Sequence, residues 1–442
     1  MPAGEPSDPL PGDPGDPLGQ LLAGTYVDPQ TGERLAAAAR SVVIADSLDG
    51  AEAELVAALG VGPRLALVGD VDTFAALGDR VARALASRFT VQRIVLDRAP
   101  HADVATLARL GATLAPGIDA VVAVGSGTIN DLCKLAAIAR GCPQLVFATA
   151  PSMNGYTSLS ASITEGGLKR SLRAATPVGV FFDLGVLAAA PVRLIRAGLG
   201  DSVCRPTAQA DWLLAHRLLD QPYRAAPFAM LAGDEAALLV QAGALVAGDV
   251  GAMRHLVRTL VLSGFGMTIC GGSYPASQGE HLLSHYIDVM RAPEIPEALH
   301  GEQVGVCALA MARLQDQILA REAPPVLAPT RVTHDDVLRR FGPERGEACW
   351  LELLPKRLDR ARADELNARL ATRWDAIRAE LCAVTLGRAR MAAVLAAAGA
   401  PLAPGDLAWP AALLADALAH AREIRNRYTF LDLAADLAAE FA

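Results

Sequence analysis

The chain has 442 residues, of which 52% are hydrophobic, and a formal net charge of −8 at pH 7. The hydrophobic content excludes global disorder, the length favours more than one domain, and the acidic balance argues against nucleic acid or a membrane surface as a partner. Seven scattered cysteines without a C-x-x-C pair are typical of reduced thiols, and no apolar run approaches the ~20 residues of a membrane span. We therefore expect a cytoplasmic protein.

The first segment of the chain repeats Asp-Pro and Gly-Asp-Pro units up to about residue 19. Such a composition buries too little apolar surface to offset the loss of conformational entropy on folding. The sequence therefore predicts a disordered tail over residues 1–25.

From about residue 41, short apolar runs alternate with helical periods. The predicted strands are Val42–Ile44, Leu65–Val68, Arg93–Leu96, Ala120–Val124 and Leu145–Ala148. The helices between them are Asp72–Ser87, His101–Leu114 and Thr128–Ala139. A hairpin around residues 165–169 and a strand at Val178–Phe182 follow. This alternation predicts a dinucleotide-binding α/β domain with a parallel sheet over residues 26–190, and such sheets bind ligands at the carboxyl ends of their strands.

Polar and small residues follow three of these strands. Asp70 is placed either to accept hydrogen bonds from a ribose 2′-hydroxyl or to cap a helix. The segment Gly125–Asp131 leads directly into a helix, so its backbone N–H groups are suited to a diphosphate, although it is not a G-x-G-x-x-G fingerprint. The loop from Thr149 to Ser158 is rich in small hydroxyl residues. Together these segments predict an anion- or nucleotide-binding edge.

After Pro191 the helical period continues to the C-terminus, which predicts an all-α domain over residues 191–442. His281 and His285 are four residues apart on one face of a predicted buried helix, and His300 follows. With Asp201 they form a candidate metal site. An alternative to the metal site is that the histidines lie in the core and hydrogen-bond to the backbone. For Asp201 the alternative is the N-cap of a long helix over Asp201–Leu219.

In their order, these motifs resemble those of the iron-containing alcohol dehydrogenase and glycerol dehydrogenase superfamily, which shares its fold with dehydroquinate synthase. Within it the chain is most similar to the sn-glycerol-1-phosphate dehydrogenases. The resemblance covers nearly everything from about residue 40. It is carried by the segments Gly125–Asp131 with Lys134, Thr149–Gly155, Gly198–Ser202, Thr207–Trp212, Ser277–His281 with His285, His300–Val304 and Ala421–Leu433.

The resemblance implies a role for each candidate residue. Asp201, His281 and His300 are expected to hold one divalent metal ion (zinc, nickel or iron), and Asp201 and His285 to be catalytic. Asn154, Asp201 and His285 are expected to contact the substrate. The expected NAD(H)- or NADP(H)-binding residues are Asp70, Gly125, Ser126, Gly127, Thr128, Ile129, Thr149, Ala150, Pro151, Ser152 and Ser158. Asp70 favours NAD over NADP because its charge repels a 2′-phosphate.

Two positions depart from the family pattern. Asn154 stands where many relatives have an aspartate, and Cys204-Arg205-Pro206 stands where relatives often have a lysine followed by an aromatic residue. Arg205, Lys169 and Arg170 are candidates for binding a substrate phosphate.

The function implied by the resemblance is metal-dependent, NAD(P)H-linked reduction of dihydroxyacetone phosphate to sn-glycerol 1-phosphate. The alternatives are a glycerol, polyol or alcohol dehydrogenase of the same superfamily, a cyclising lyase like dehydroquinate synthase, or a non-catalytic dinucleotide-binding protein. The expected partners are a phosphorylated ketone or polyol and further copies of the chain, through apolar helices such as Ala411–Ala421.

Overall fold

The computed structural model describes residues 15–165 and 168–438. The chain divides into two compact units. The first comprises residues up to Ile195 together with Ala225–Gly272, and the second comprises Arg196–Arg224 together with the residues from Ser273 onward. Among the described residues, none of the helices combines the length and the apolar character that a membrane span requires.

The first unit is built on a parallel sheet. Its described strands are β1 (Tyr26–Val27), β2 (Arg34–Leu35), β3 (Ser41–Ala45), β4 (Arg64–Asp70), β5 (Thr90–Leu96), β6 (Ala120–Gly125), β7 (Gln144–Ala148), β8 (Ser160–Glu165), β9 (Leu168–Arg173) and β10 (Gly179–Asp183). Within the described ranges, six of these strands form one parallel sheet in the order β3-β10-β7-β6-β4-β5. The predicted parallel sheet is confirmed, and β8 and β9 form the predicted hairpin.

The central strands of this sheet are apolar on both faces because helices cover both sides. Strands β6 and β7 are buried along their whole length. The helices from the start of the chain to residue 269 are α1 (Pro17–Ala23), α2 (Glu52–Ala57), α3 (Val71–Thr73), α4 (Asp79–Leu85), α5 (Val104–Thr113), α6 (Gly127–Arg140), α7 (Leu184–Ala188), α8 (Val192–Val203), α9 (Arg205–Leu219), α10 (Ala226–Ala229), α11 (Ala232–Val246) and α12 (Val250–Ile269). A π-helical turn at Phe74–Gly78 joins α3 to α4, so the predicted helix Asp72–Ser87 is nearly continuous.

The N-terminal segment differs from its prediction. Residues 1–14 lie outside the described part, but α1 follows them directly and is anchored. The side chain of Asp16 caps α1 by accepting from the backbone N–H groups of Leu18 and Gly19, and Leu18 and Leu21 are buried. The prediction of disorder was therefore wrong for residues 15–25, because two buried leucines and a cap hold a short helix that the proline-rich context conceals.

The helices at 225–272 belong to the first unit, whereas the sequence placed them in the helical domain. Their attachment is specific: the Thr157 hydroxyl donates to the carbonyl of Val261 at 2.8 Å, and the Thr268 hydroxyl donates to the carbonyl of Thr157 at 3.2 Å. Helical periodicity identifies a helix but not the core against which it packs. That assignment depends on contacts between segments far apart in the chain.

The second unit is helical. Its remaining helices are α13 (Gly279–Met290), α14 (His300–Leu319), α15 (His334–Phe341), α16 (Pro343–Leu353), α17 (Arg360–Val384), α18 (Arg388–Ala397), α19 (Ala411–His420) and α20 (Phe430–Ala435). Leu282, Leu283, Tyr286 and Ile287 of α13 are part of its buried core. An α/β part followed by a largely helical part confirms the predicted fold class.

Candidate active site

Three predicted metal ligands converge within the second unit. Asp201 lies in the last turn of α8, His281 in the first turn of α13, and His300 is the first residue of α14. One donor atom from each residue lies within 4.8 Å of the donor atoms of the other two. Asp201 and His281 are buried, and the rings of His281 and His300 are 5.1 Å apart between centroids. The site is thus a compact group of one carboxylate and two imidazoles.

The position of Asp201 corrects a local prediction. The long helix was expected to begin at Asp201, with this residue as its N-cap. Instead α8 continues to Val203 and α9 begins at Arg205. The N-cap interpretation of Asp201 is therefore wrong, and its side chain projects from a helix toward His281, whose Nε2 is 3.8 Å from Asp201 Oδ1.

The helices that carry Asp201 and His300 cross at unusually short range. A Cβ atom added to Gly301 would lie 1.8 Å from the carbonyl oxygen of Ala197, so only glycine fits at this position. Gly301 is adjacent to His300, and Ala197 is one helical turn before Asp201. The close approach therefore brings the two ligands together. The sequence analysis did not single out Gly301 for this function.

A carboxylate behind His281 orients the imidazole. The Oε1 atom of Glu280 is 2.8 Å from Nδ1 of His281, and the same oxygen accepts from the backbone N–H of Gln278 at 2.8 Å. Glu280 is fully buried. A carboxylate acceptor places the imidazole proton on Nδ1, which leaves the lone pair on Nε2 facing Asp201.

This donor set fits a divalent transition metal. One aspartate and two neutral imidazoles are oxygen and nitrogen ligands of the kind that zinc, iron and nickel accept, with coordination positions remaining for a substrate. A second group, Cys204, Glu280 and His281, also brings donor atoms within 4.8 Å. In that group, however, Glu280 and His281 are already bonded to each other, so the aspartate–histidine–histidine set is the better site.

His285 is close to the metal group without belonging to it. Its ring centroid is 6.1 Å from that of His281 and 6.0 Å from that of His300, and it lies nearly parallel to the His300 ring. It is partly exposed. His285 is not in the group whose donor atoms lie within 4.8 Å of one another, and its contact with a substrate stays a prediction.

The predicted dinucleotide residues lie in the first unit at the junction of β6 and α6. Gly125 ends β6, and a Cβ atom there would lie 2.5 Å from Cβ of Ile129. Ser126 precedes α6, and its hydroxyl hydrogen-bonds to that of Ser152. Gly127 and Thr128 begin the helix, so their backbone N–H groups lie at its positive end. This geometry suits an anion such as a diphosphate.

The loop after β7 is tied to this junction by buried hydrogen bonds. The backbone N–H of Thr149 donates to the carbonyl of Gly125 at 3.1 Å, and the Tyr156 hydroxyl donates to the carbonyl of Ala150 at 2.7 Å. Ala150 and Pro151 are buried between these contacts. The two segments predicted to bind one cofactor therefore form one connected structure.

Lys134 holds the far end of the same loop. Its ammonium group donates to the carbonyls of Gly155 at 2.6 Å, Ser158 at 2.9 Å and Ser160 at 3.0 Å. Burial lowers the pKa of Lys134 to about 8, although nearby Asp131 opposes that shift. The sequence marked Lys134 only as part of a motif, and its function as an anchor emerges from the fold.

Asp70 adopts the capping arrangement that was its alternative interpretation. Its Oδ1 accepts from the backbone N–H of Thr73, and the Thr73 hydroxyl accepts from the backbone N–H of Asp70, each at 2.8 Å. Contact with a ribose stays a prediction.

A cavity of about 750 Å³ opens at the carboxyl ends of β3, β4, β7 and β10. Its lining includes Asp46, Thr73, Arg80, Thr149 and Asp183.

The remaining candidates are dispersed. Asn154 donates from Nδ2 to the Ser263 hydroxyl at 3.3 Å. Arg205 is buried at the start of α9. Arg170 is exposed on the hairpin and pairs with Glu165 at 3.2 Å, and the side chain of Lys169 lies outside the described part of the chain.

Comparison with known proteins identifies the family. The family model for iron-containing alcohol dehydrogenases matches residues 43–191. The chain is 31% identical to a glycerol-1-phosphate dehydrogenase [NAD(P)+] of Geobacillus stearothermophilus over 83% of this chain and 85% of that protein. The chain belongs to the glycerol-1-phosphate dehydrogenase family.

Other comparisons are consistent with this family assignment. The glycerol-1-phosphate dehydrogenase [NAD(P)+] of Thermococcus kodakarensis is 32% identical over 62% of this chain and 77% of its own length. The crystal structure of glycerol dehydrogenase from Schizosaccharomyces pombe superposes with a TM-score of 0.56 at 16% identity, covering 80% of this chain and 96% of that one. At that identity the structural match establishes the shared fold.

Proposed function

We propose that this member of the glycerol-1-phosphate dehydrogenase family reduces dihydroxyacetone phosphate to sn-glycerol 1-phosphate with NADH or NADPH. The observation that carries the proposal is the convergence of Asp201, His281 and His300 in one buried group. Relatives at 31% and 32% identity bear the name of this activity. A metal-assisted hydride transfer requires such a donor set, which a protein that only binds a dinucleotide does not need.

Asp201, His281 and His300 hold the ion in this proposal. A divalent ion there supplies a Lewis acid that polarises the substrate ketone and stabilises negative charge on its oxygen. Asp201 provides the one anionic ligand, and Glu280 keeps His281 in the tautomer whose Nε2 is free to coordinate. The protein thereby fixes both the charge and the direction of its ligands.

In this proposal, residues of the first unit bind the dinucleotide cofactor. The dinucleotide is held by Gly125–Ile129, Thr149–Ser152 and Ser158. The N-terminus of α6 would bind the diphosphate, and Asp70 would bind the adenosine ribose. When bound, the reduced dinucleotide would supply the hydride for the ketone carbon, and the ketone oxygen would gain a proton, so that the product is a secondary alcohol. Lys134 and Tyr156 keep the cofactor loop in one conformation.

His285 is the proposed proton donor or hydroxyl partner of the substrate. Its ring is 6.0 Å from that of His300, and an imidazole at this position can donate a proton near neutral pH. Asn154 stands where many relatives have an aspartate. Because an amide cannot accept a proton as a carboxylate can, its proposed contribution is limited to hydrogen bonds with the substrate.

The test is cofactor oxidation by protein loaded with zinc, nickel or iron. NADH and NADPH are supplied separately with dihydroxyacetone phosphate and with unphosphorylated dihydroxyacetone. We expect oxidation with the phosphate ester, and loss of both bound metal and turnover in Asp201→Ala. His216→Ala is the matched control, since His216 bonds to the carbonyl of Gln221 and lies outside the ligand group.

Oxidation with the free ketone alone would replace the proposal with a polyol dehydrogenase. Product formation without net cofactor oxidation would indicate a lyase. Wild-type turnover in Asp201→Ala would remove the metal assignment. A homo-oligomer, also predicted from the sequence, is measured on the same preparation by sedimentation.

A further inference from the structure

Arg427 is a buried arginine whose side-chain hydrogen bonds all go to neutral groups. It lies between the 3₁₀ turn Ala421–Ile424 and α20 and is 8% exposed. Its Nη1 donates to the carbonyls of Ser273, at 3.2 Å, and Ser277, and its Nη2 donates to the Ser273 hydroxyl at 3.0 Å. The guanidinium also lies over the ring of Tyr274, 4.5 Å from its centroid. These bonds satisfy three of its five N–H groups, which leaves donors on Nε and Nη2.

Arg425 places a second cation beside it. The backbone N–H of Arg427 donates to the carbonyl of Arg425 at 2.8 Å, which holds the two backbones in a tight turn, and Arg425 is partly buried. In the described part of the chain, neither guanidinium has a carboxylate at ion-pairing distance. The neighbouring carboxylate of Glu352 accepts from the backbone N–H of Asn426 at 2.6 Å instead. Burial lowers the pKa of both arginines, that of Arg427 to about 9 with a further contribution from Arg425, and the carboxylate of Glu352 opposes the shift in both.

Two other buried cations of the second unit are neutralised by carboxylates. Lys356 pairs with Asp432 at 3.0 Å, and Arg422 pairs with Asp436 at 3.0 Å. A buried charge without a counter-charge is strongly unfavourable, and two neighbouring cations add repulsion. The pair Arg425–Arg427 therefore has the electrostatics of a site completed by an anion.

The pair is connected to the metal group through a short loop. Arg427 holds Ser273 and Ser277, and Ser277 precedes the helix α13 that carries His281. Glu280, the carboxylate that orients His281, is close enough to raise the pKa of Arg427. Residues 273–281 therefore connect Arg427 to the metal group.

We infer that Arg425 and Arg427 bind the phosphate dianion of the substrate. This inference rests on the proposed function, which requires a phosphorylated ketone. Guanidinium groups bind phosphate through charge-assisted, paired N–H contacts, and they stay charged where a lysine loses its proton on burial. The two neighbouring cations match the charge of a phosphate monoester. Of the cations predicted from sequence, Arg170 is exposed and pairs with Glu165.

Arg425→Gln tests the inference in the full-length, metal-loaded protein. The guanidinium of Arg425 makes no internal hydrogen bond among the described residues, so its removal should leave the fold intact, which thermal unfolding verifies. Arg373→Gln is the control because Arg373 is an exposed arginine of the same unit. Inorganic phosphate binding is measured by calorimetry, and steady-state kinetics are measured with dihydroxyacetone phosphate and with dihydroxyacetone.

In Arg425→Gln we expect phosphate affinity to fall about tenfold or more and KM for the phosphate ester to rise by a similar factor, since a charge-assisted contact is lost. We expect kcat, and any rate with the free ketone, to change less than about twofold, because the variant removes binding shared by ground and transition states. Arg373→Gln should match wild type in every measurement.

Unchanged phosphate affinity and unchanged KM in Arg425→Gln would overturn the inference while leaving the proposed function in place. An equal loss of activity with both ketones would also overturn it, because that result indicates a general structural effect. If the wild-type protein fails to reduce the phosphate ester, the proposed function fails. The calorimetric comparison then still decides whether the arginine pair binds phosphate.

Discussion

Gly200 and Gly301 lie against each other where two helices of the second unit cross. A Cβ atom at position 200 would be 2.1 Å from the carbonyl oxygen of Gly301. Each glycine is adjacent to a residue of the metal group, Asp201 in one case and His300 in the other. The spacing of two ligands therefore depends on the absence of side chains beside them.

Substitution of Gly301 by alanine should separate these helices. The added methyl group meets backbone atoms of Ala197, which cannot rotate away. We expect bound metal to fall sharply and the free energy of unfolding to decrease by about 1–3 kcal/mol, as in overpacked cores. Metal content after dialysis and denaturant unfolding measure the two effects.

Gly305→Ala is the matched control on the same helix. A Cβ atom there would be 3.4 Å from Cα of Gly200, an ordinary van der Waals contact. The alanine should be tolerated and should favour the helix slightly. Equal metal content in the two variants would show that the close crossing does not set the ligand spacing.

Glu280 should control metal affinity without touching the ion. Glu280→Gln retains the shape of the side chain. It removes the charge-assisted hydrogen bond to His281 Nδ1, which is 2.8 Å long in the wild-type protein. Loss of such a partner lowers metal affinity by about 10- to 100-fold. Competition with a chelating dye measures the metal affinity of the variant and of the wild type.

Thr207→Val is the comparison for Glu280→Gln, because it removes the hydroxyl bonds to the other carboxylate oxygen of Glu280, at 3.3 Å, and to the carbonyl of Cys204, and leaves the bond between Glu280 and His281 in place. We expect a much smaller effect. Wild-type metal affinity in Glu280→Gln would contradict the orienting function of this carboxylate.

Lys134→Met should loosen the cofactor loop. Three carbonyls that the ammonium group binds within 3.0 Å lose their buried donor. We expect a loss of about 2–4 kcal/mol in the free energy of unfolding and weaker NADH binding. Chemical denaturation and fluorescence titration of NADH check the two outcomes.

The effect of Lys134 should also depend on pH. Its pKa is about 8 in the folded chain, whereas a lysine in water has an ordinary pKa of 10.5. Between these values the unfolded chain binds more protons, so the free energy of unfolding of the wild type rises with pH. The stability difference from Lys134→Met should widen from pH 8 to above pH 10. A constant difference would show that the ammonium group does not titrate in this range.

Asp16 should hold the N-terminal helix in place. Its carboxylate caps α1 and pairs with Arg258, which also pairs with Asp234 at 2.9 Å. Asp16→Ala removes the cap and one ion pair, and we expect a loss of about 1–3 kcal/mol. Hydrogen exchange of residues 18–23 should accelerate, whereas the exposed-site variant Asp97→Ala should leave it unchanged. Unchanged exchange in Asp16→Ala would show that other contacts hold α1.

The sequence by itself determined the elements and the chemistry of the candidate residues. The strands of the parallel sheet and most helices follow from apolar periodicity, which the local geometry of the backbone sets. The i and i+4 spacing placed His281 and His285 on one helix face for the same reason. Asp201 and His300 were candidates from their residue types, and the resemblance to a known family implied that they and His281, rather than His285, hold the metal.

The tertiary structure decided the rest. It assigned the helices at 225–272 to the first unit, ordered α1, and placed Asp201 inside α8 rather than at a helix start. It also revealed the contact between Gly200 and Gly301, the Glu280 partner of His281 and the buried Arg427. Each of these depends on segments distant in the chain fitting together in shape and charge. Local periodicity carries no information about that fit, because it describes one element at a time.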